Sequence, residues 1–219
     1  ESTRPGATPV TAEEELRRVL RVIETLAEAR ITISIDTRKA TVMRAATAAG
    51  ASIINDVSGL TGDPESLEVA AACGARIVLM HMQGEPSTMQ RRPTYAHVAL
   101  DVLDWLEARI EACERAGISR ARLIVDPGIC FGKTEAHNLE LLRALALFHG
   151  LGCPLLLGVS RKGWTGWIEE RYQPEERLPS SLAAAQWGCA RGVQIVRVHD
   201  VAETRQAVDA WWALAAPAA

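Results

Sequence analysis

The sequence predicts an α/β fold of the TIM (β/α)8 barrel type, of which the chain carries about six strand–helix units. Three observations predict it. Six short β-rich runs alternate with stretches of helical periodicity. Each run is apolar along its length, the mark of parallel strands covered on both faces. Each ends in polar residues before the next helix begins, which is the repeating unit of a (β/α) barrel. No linker or low-complexity segment divides the 219 residues, which read as a single domain over 1–219 with room for a sizeable core.

In order, Thr11 opens a helix to about Glu28 with a capping box, its hydroxyl facing the N–H near Glu14 and Glu14 reaching back. Leu16, Val19, Leu20, Ile23 and Leu26 recur at three- and four-residue spacing and form its buried face. Ile31–Asp36 is a strand, followed by a helix from Lys39 to Ala48 that Gly50 closes. Ser52–Val57 is the second strand and Pro64–Cys73 a short helix; Arg76–His81 is the third, leading into a long loop over Met82–Pro93. A long helix covers Tyr95–Ala116, then come the Arg122–Asp126 strand, a helix over Ala136–Phe148 and the Pro154–Val159 strand. Ser160–Gly163 is an exit loop, Leu182–Ala190 an Ala-rich helix, Gln194–Asp200 the last strand and Ala202–Leu214 the last helix.

Composition removes several function classes. The net charge is -3 with no basic run, so the electrostatic footprint of a nucleic-acid binder is missing. The longest apolar runs, such as Pro154–Val159, are far too short for a membrane span, and the start lacks a signal-peptide pattern. Five cysteines, widely spaced and without a C-x-x-C pair, read as reduced thiols of a cytoplasmic protein. Of these, Cys130 alone sits in a loop of interest.

That loop is Asp126–Thr134 (DPGICFGKT), a tight exit from a strand that presents a carboxylate, backbone N–H groups, the Phe131 ring and Lys133. Its bland reading makes Asp126 a turn cap and Lys133 a solvated charge. The other strand ends carry Asp36, Asn55, His81, Lys162 just past Ser160, and Arg197 with His199. A lone strand-end Asp is more often a cap, and a lone His more often a hydrogen-bonded structural residue. Parallel strands, however, would gather all of these at one rim, where the βα loops build a barrel's active site. Carboxylates and an amide suit the N–H edge of a flat heterocycle. Lys162, Arg197 and His199 suit an anion such as a phosphate. His97, His137 and His149 lie on helices or at their starts and receive no role.

Seven stretches pick a reaction: ESTRPGA (1–7), SIDTRK (34–39), IINDVSGL (53–60), LMHMQGEPSTMQ (79–90), DPGICFGKTEAHNLELL (126–142), GVSRK (158–162) and RVHDVAET (197–204). In these stretches and in their order the chain resembles the dihydropteroate synthase family of folate biosynthesis. The resemblance implies joining of 6-hydroxymethyl-7,8-dihydropterin pyrophosphate to p-aminobenzoate, with release of pyrophosphate and with Mg2+. It implies that Asp36, Asn55, Asp126 and Lys162 bind the pterin, with Met80 and Gly158 lining the ring pocket. Arg197 and His199 resemble the pyrophosphate pair. Thr3, Arg4 and Pro5 resemble a mobile loop over p-aminobenzoate, whose site takes in Phe131 and the backbone after Lys162, at Gly163. Asp36, Asp126 and Lys162 are the residues expected to carry the chemistry. A homodimer follows by family analogy, and Trp164, Trp167, Trp187, Trp211 and Trp212 suit an interface.

The chain departs from the family in three places. It begins inside the loop that follows the family's second strand, so the barrel is expected to be N-terminally incomplete, with exposed edges beside the Ile31 and Ile195 strands and little activity alone. The asparagine that the family brings to the metal is expected in that preceding segment, leaving no metal ligand assigned here. Gly163 stands where the family has serine, and Cys130 where it has glycine, which predicts weaker p-aminobenzoate affinity and altered sulfonamide sensitivity. The alternatives are a pterin-binding methyltransferase domain, which would leave Lys162, Arg197 and His199 without an anion, and a pterin-binding remnant without turnover.

Overall fold

A computed structural model describes residues 1–4 and 7–215. Six parallel strands follow one another in chain order: β1 (Ser34–Asp36), β2 (Ile53–Asp56), β3 (Arg76–Met80), β4 (Leu123–Asp126), β5 (Leu156–Leu157) and β6 (Ile195–Val196). β1 to β4 form one ladder, and a parallel bridge between Val125 and Leu155 joins it to the β5–β6 pair. The helices are α1 (Ala12–Glu28), α2 (Ala40–Ala48), α3 (Ser66–Ala72), α4 (Val98–Arg115), α5 (Glu135–Arg143), α6 (Gly166–Arg171), α7 (Leu178–Cys189) and α8 (Val201–Ala215). Parallel strands alternating with helices are the (β/α) units of the TIM-barrel class that the sequence predicts.

Side-chain alternation along the strands explains how the fold makes a site. Successive side chains on a strand point to opposite faces. Ile35, Ile54, Ile77, Leu79, Leu123, Val125, Leu155 and Leu157 point outward into the large core beneath the helices. Val78, Ile124 and Leu156, with Ile53 and Ile195 against them, form a separate inner cluster. Two residues further along that inner face come Asn55, Met80, Asp126, Gly158 and Arg197, and Asp36 stands on the same face of β1. The inner face therefore changes from apolar to polar at one level, the carboxyl ends of the strands.

Several boundaries differ from the expectation, for local reasons. β1 begins at Ser34 rather than Ile31, because α1 ends in a Schellman-type turn: Arg30 adopts φ 56°, its N–H donates to Ala27 O, and Ile31 N–H donates to Leu26 O. Ile31 is thereby spent on a helix end and left exposed. Only half of the capping box forms: Thr11 Oγ1 accepts from Glu14 N, while the Glu14 carboxylate pairs with Arg17 and Arg18. Helix α5 stops at Arg143 and continues as 3-10 turns to Leu151, closed by Gly152 at φ 66°. α6, absent from the sequence reading, and an α7 that starts at Leu178 fill the stretch after Gly163. β6 is two residues long because the chain leaves the ladder after Arg197 N–H donates to Leu157 O; His199 N–H then goes to Ser160 Oγ.

Candidate active site

The polar inner face opens into a cavity of about 760 Å3 at the carboxyl ends of the strands. Its walls include Thr3, Arg4, Asp36, Asn55, Met80, Asp126, Phe131, Gly158, Lys162, Gly163, Arg197 and His199, so twelve positions singled out from sequence face one space. Pro5 lies outside the described residues. Cys130, Ser160, Glu169 and Arg177 also line it.

On one flank, Asp36 Oδ2 accepts hydrogen bonds from Asn55 Nδ2 at 3.1 Å and from an Arg197 terminal nitrogen at 3.1 Å. The Asp36–Asn55 contact follows from sheet register, since the two residues are direct partners across β1 and β2. Burial pushes the Asp36 carboxyl above its usual range, and Arg197 and Asn55 oppose that shift.

Asp126 ends β4 and is 6% exposed. Its Oδ1 accepts from Gly128 N at 2.7 Å, closing the turn. Gly128 is required there: at φ 70°, a Cβ would lie 1.9 Å from His81 O. Burial raises the Asp126 pKa, opposed by the Lys162 charge and by the Gly128 N–H. Lys162 Nζ donates to Ile129 O at 2.9 Å and lies 4.7 Å from the Phe131 ring centroid, a cation–π distance. Burial lowers its pKa, and Cys130 and Asp126 oppose the shift. Gly158 keeps the floor between this pair open, because its absent Cβ would sit 3.8 Å from both Asp126 Oδ2 and Lys162 Nζ.

The other flank is cationic. Ser160 Oγ accepts from His199 N at 3.1 Å and lies 3.0 Å from His199 Nδ1. The hydroxyl keeps a second lone pair and its own proton, so it can pair with either tautomer; when it donates to Nδ1, the neutral ring carries its proton on Nε2. Burial, Arg161 and Arg197 all lower the His199 pKa. Arg161 also lines the cavity and is paired with Asp200, with Nε 3.0 Å from Oδ2.

Some residues behave differently from the sequence expectation. His81 follows Met80 by one position, so alternation turns it away from the cavity; it is buried against Trp105 and Tyr95. Lys133 is 3% exposed, the opposite of a solvated loop charge. Cys130 has φ 71°, a left-handed conformation that explains why glycine suits this position. Gly163 is crowded: a Cβ there would meet Glu169 Cβ at 2.8 Å. The five tryptophans do not form one cluster; Trp211 stacks edge-on with Trp212, Trp167 with Tyr172, and Trp187 Nε1 donates to Leu142 O. Ser160 and Glu169 were not singled out as site residues, because a serine and a helical glutamate carry no signal without the fold.

Residues 1–199 match the family model described as pterin binding enzyme. A dihydropteroate synthase of Escherichia coli K12 is 47% identical over 209 residues, covering 95% of this chain and 73% of the relative. The Xanthomonas albilineans dihydropteroate synthase solved with 4-aminobenzoic acid is 47% identical, with a TM-score of 0.92 over 99% of this chain and 78% of that one. The structure of the X. albilineans enzyme with 7,8-dihydropteroate aligns at 44% identity and a TM-score of 0.87 over 95% of this chain and 79% of that one. Matching motifs, strand-end geometry and overall likeness converge: this chain belongs to the dihydropteroate synthase family of pterin-binding enzymes.

Proposed function

We propose that this transferase condenses 6-hydroxymethyl-7,8-dihydropterin pyrophosphate with p-aminobenzoate to give 7,8-dihydropteroate and pyrophosphate by a dissociative substitution. The observation that carries the reading is one cavity whose wall brings acids and an amide, Asp36, Asp126 and Asn55, together with Lys162, Arg197 and His199. Asp36, Asn55, Asp126 and Lys162 would take the donors and acceptors of the pterin ring, with Met80 and Gly158 against its plane. Arg197 and the free His199 N–H would take the diphosphate.

The chemistry follows from that arrangement. The bond between the pterin methylene and the diphosphate oxygen breaks with its electron pair leaving on the diphosphate. Arg197 and His199 stabilise the departing anion. The cation left on the methylene and ring is stabilised by the carboxylates of Asp126, which is buried and little screened, and Asp36, which is half-buried. The arylamine nitrogen of p-aminobenzoate then forms the new C–N bond and loses its proton to solvent or to the leaving diphosphate. No covalent enzyme intermediate is needed, so the five cysteines have no catalytic task. Thr3, Arg4, Phe131 and the N–H groups around Gly163 would hold p-aminobenzoate.

Family resemblance implies Mg2+. Among the described residues no group of three His, Cys, Asp or Glu side chains is gathered to hold a metal ion, so these residues alone do not make a metal site and no step here runs through one. A homodimer and a cytoplasmic location are further parts of the proposal. The exposed Trp187, Trp212 and Leu214 on α7 and α8 support the first, and no described helix is long and apolar enough to cross a membrane. The test is direct assay of the purified protein with both substrates. Equimolar pyrophosphate and dihydropteroate are expected; pterin binding without either product would sink the proposal.

A further inference from the structure

Lys133 is a buried cation that the mechanism above does not use. Its Nζ lies 2.9 Å from His81 Nδ1, 3.0 Å from Phe131 O and 3.4 Å from His81 O. No carboxylate is within hydrogen-bond distance among the described residues, and a buried ammonium costs several kcal/mol unless its protons are well placed. An ammonium has three donors for the two carbonyls and the Nδ1 lone pair; a neutral amine has two, and keeps the Nδ1 contact only through its own lone pair, with the His81 proton moved to Nδ1. These acceptors stitch the end of β3 to the loop after β4, the loop whose Phe131 ring lies against Lys162. The same loop is held by Asn138 Oδ1 at Cys130 N and by Tyr95 OH at Gly132 O. Lys133 alone among these clamps changes charge near neutral pH.

We propose that Lys133 is a positioning residue: its ammonium fixes the Phe131 segment, and with it the wall of the p-aminobenzoate site. This rests on the synthase reading above. The groups facing Lys133 are His81 at the end of β3, Asp126 at the end of β4, Cys130 in its own loop, Lys162 after β5, and Tyr95 before α4. Burial pulls the Lys133 amine down to about 7, with Asp126 opposing and Lys162 assisting. Burial and the Lys133 charge pull His81 down to about 3, so its ring stays neutral throughout. Burial raises Tyr95 and it stays protonated.

The experiment compares wild type, Lys133→Met and Lys133→Arg between about pH 6 and pH 9, a range that brackets the amine's titration. Lys133→Met keeps the bulk and removes the donors; its p-aminobenzoate KM should rise about tenfold at the acid end, the effect of one lost charge-assisted bond. The pterin pyrophosphate dissociation constant should stay within about twofold on the same scale. Wild type should converge on Lys133→Met at the alkaline end, and Lys133→Arg, charged throughout, should lack that limb. Substrate ionisations are common to all three proteins and cancel in the ratios. A wild-type to Lys133→Met ratio that is constant with pH, or an unchanged KM, would overturn the proposal. Hydrogen exchange over residues 128–133 reads the loop without turnover: faster exchange in Lys133→Met supports the proposal, and equal exchange refutes it. A wild-type protein that makes no dihydropteroate refutes the synthase reading instead, so the two failures are separable.

Discussion

Arg197 donates to Asp36 at 3.1 Å and links β6 to β1, the two edge strands of the sheet. In the proposed function the cation of this pair takes the diphosphate and its carboxylate takes the pterin ring. The pair is open to solvent, 56% and 42% exposed, so its own contribution to stability is small, about 0.5 kcal/mol. Its consequence lies in binding: a diphosphate that draws Arg197 away frees Asp36 for the ring. Arg197→Met and Asp36→Asn should each weaken pterin pyrophosphate by roughly 10- to 100-fold, the range for a hydrogen bond to a charged group. The double variant should fall short of the sum, because the two residues are in contact. Calorimetric titration of the three variants measures this, and strict additivity would contradict it.

Asp126 gives a pH prediction whose sign is fixed by its burial. Its folded pKa is raised above the unfolded value, so between those values the folded state binds more protons than the unfolded chain. Its contribution to stability is therefore present at low pH and is lost as pH rises through the folded pKa. Asp126→Asn removes that loss. Thermal melts at neutral pH should show a higher Tm for Asp126→Asn, by about 2–4 °C for each kcal/mol gained, with synthase activity abolished. A lower Tm at neutral pH would show that the Lys162 attraction outweighs burial.

Gly163 and Glu169 are coupled by space. A Cβ at 163 would lie 2.8 Å from Glu169 Cβ, an atom that rotation cannot move away, so α6 would have to shift. Gly163→Ser alone should therefore leave p-aminobenzoate KM unchanged or raised. Combined with Glu169→Gly, which removes that Cβ and also takes a negative charge from the cavity, it should lower KM about tenfold, as one added hydrogen bond to a carboxylate allows. Steady-state kinetics of the four proteins test this; equal effects in both backgrounds would refute the coupling.

Cys130 has φ 71°, where a side chain costs about 1–2 kcal/mol. Glycine relieves that strain but gives the unfolded chain about 0.4–1 kcal/mol of added freedom. Cys130→Gly should thus stabilise the protein by about 0.5–1 kcal/mol, read from denaturant midpoints at constant m. Destabilisation would mean that thiol packing outweighs backbone strain.

Much of the site was legible in the sequence because barrels place function at strand ends, and Asp36, Asn55, Asp126 and Arg197 stand there. The finer choice between adjacent residues needed alternation, which the short strands hide. Met80 faces the cavity and His81 faces Trp105, yet both are strand-end residues in a continuously apolar run. Lys133 read as a solvated charge because its acceptors, two carbonyls and an imidazole, come largely from a segment 52 residues away. α6 was missed because a six-residue helix with a single buried side chain, Ile168, has no periodicity to detect.

The proposed site parts a ring cation from its leaving diphosphate before the amine arrives. Pterin pyrophosphate carrying heavy oxygen in the methylene–phosphate bridge, bound without p-aminobenzoate, tests this most directly. Breaking and re-forming the bridge in the enclosed site should scramble the label into the non-bridging oxygens of recovered substrate, and Asp126→Asn should suppress the scrambling. Recovered substrate with its label still in the bridge, from protein that turns over normally once p-aminobenzoate is added, would contradict it and point to direct displacement.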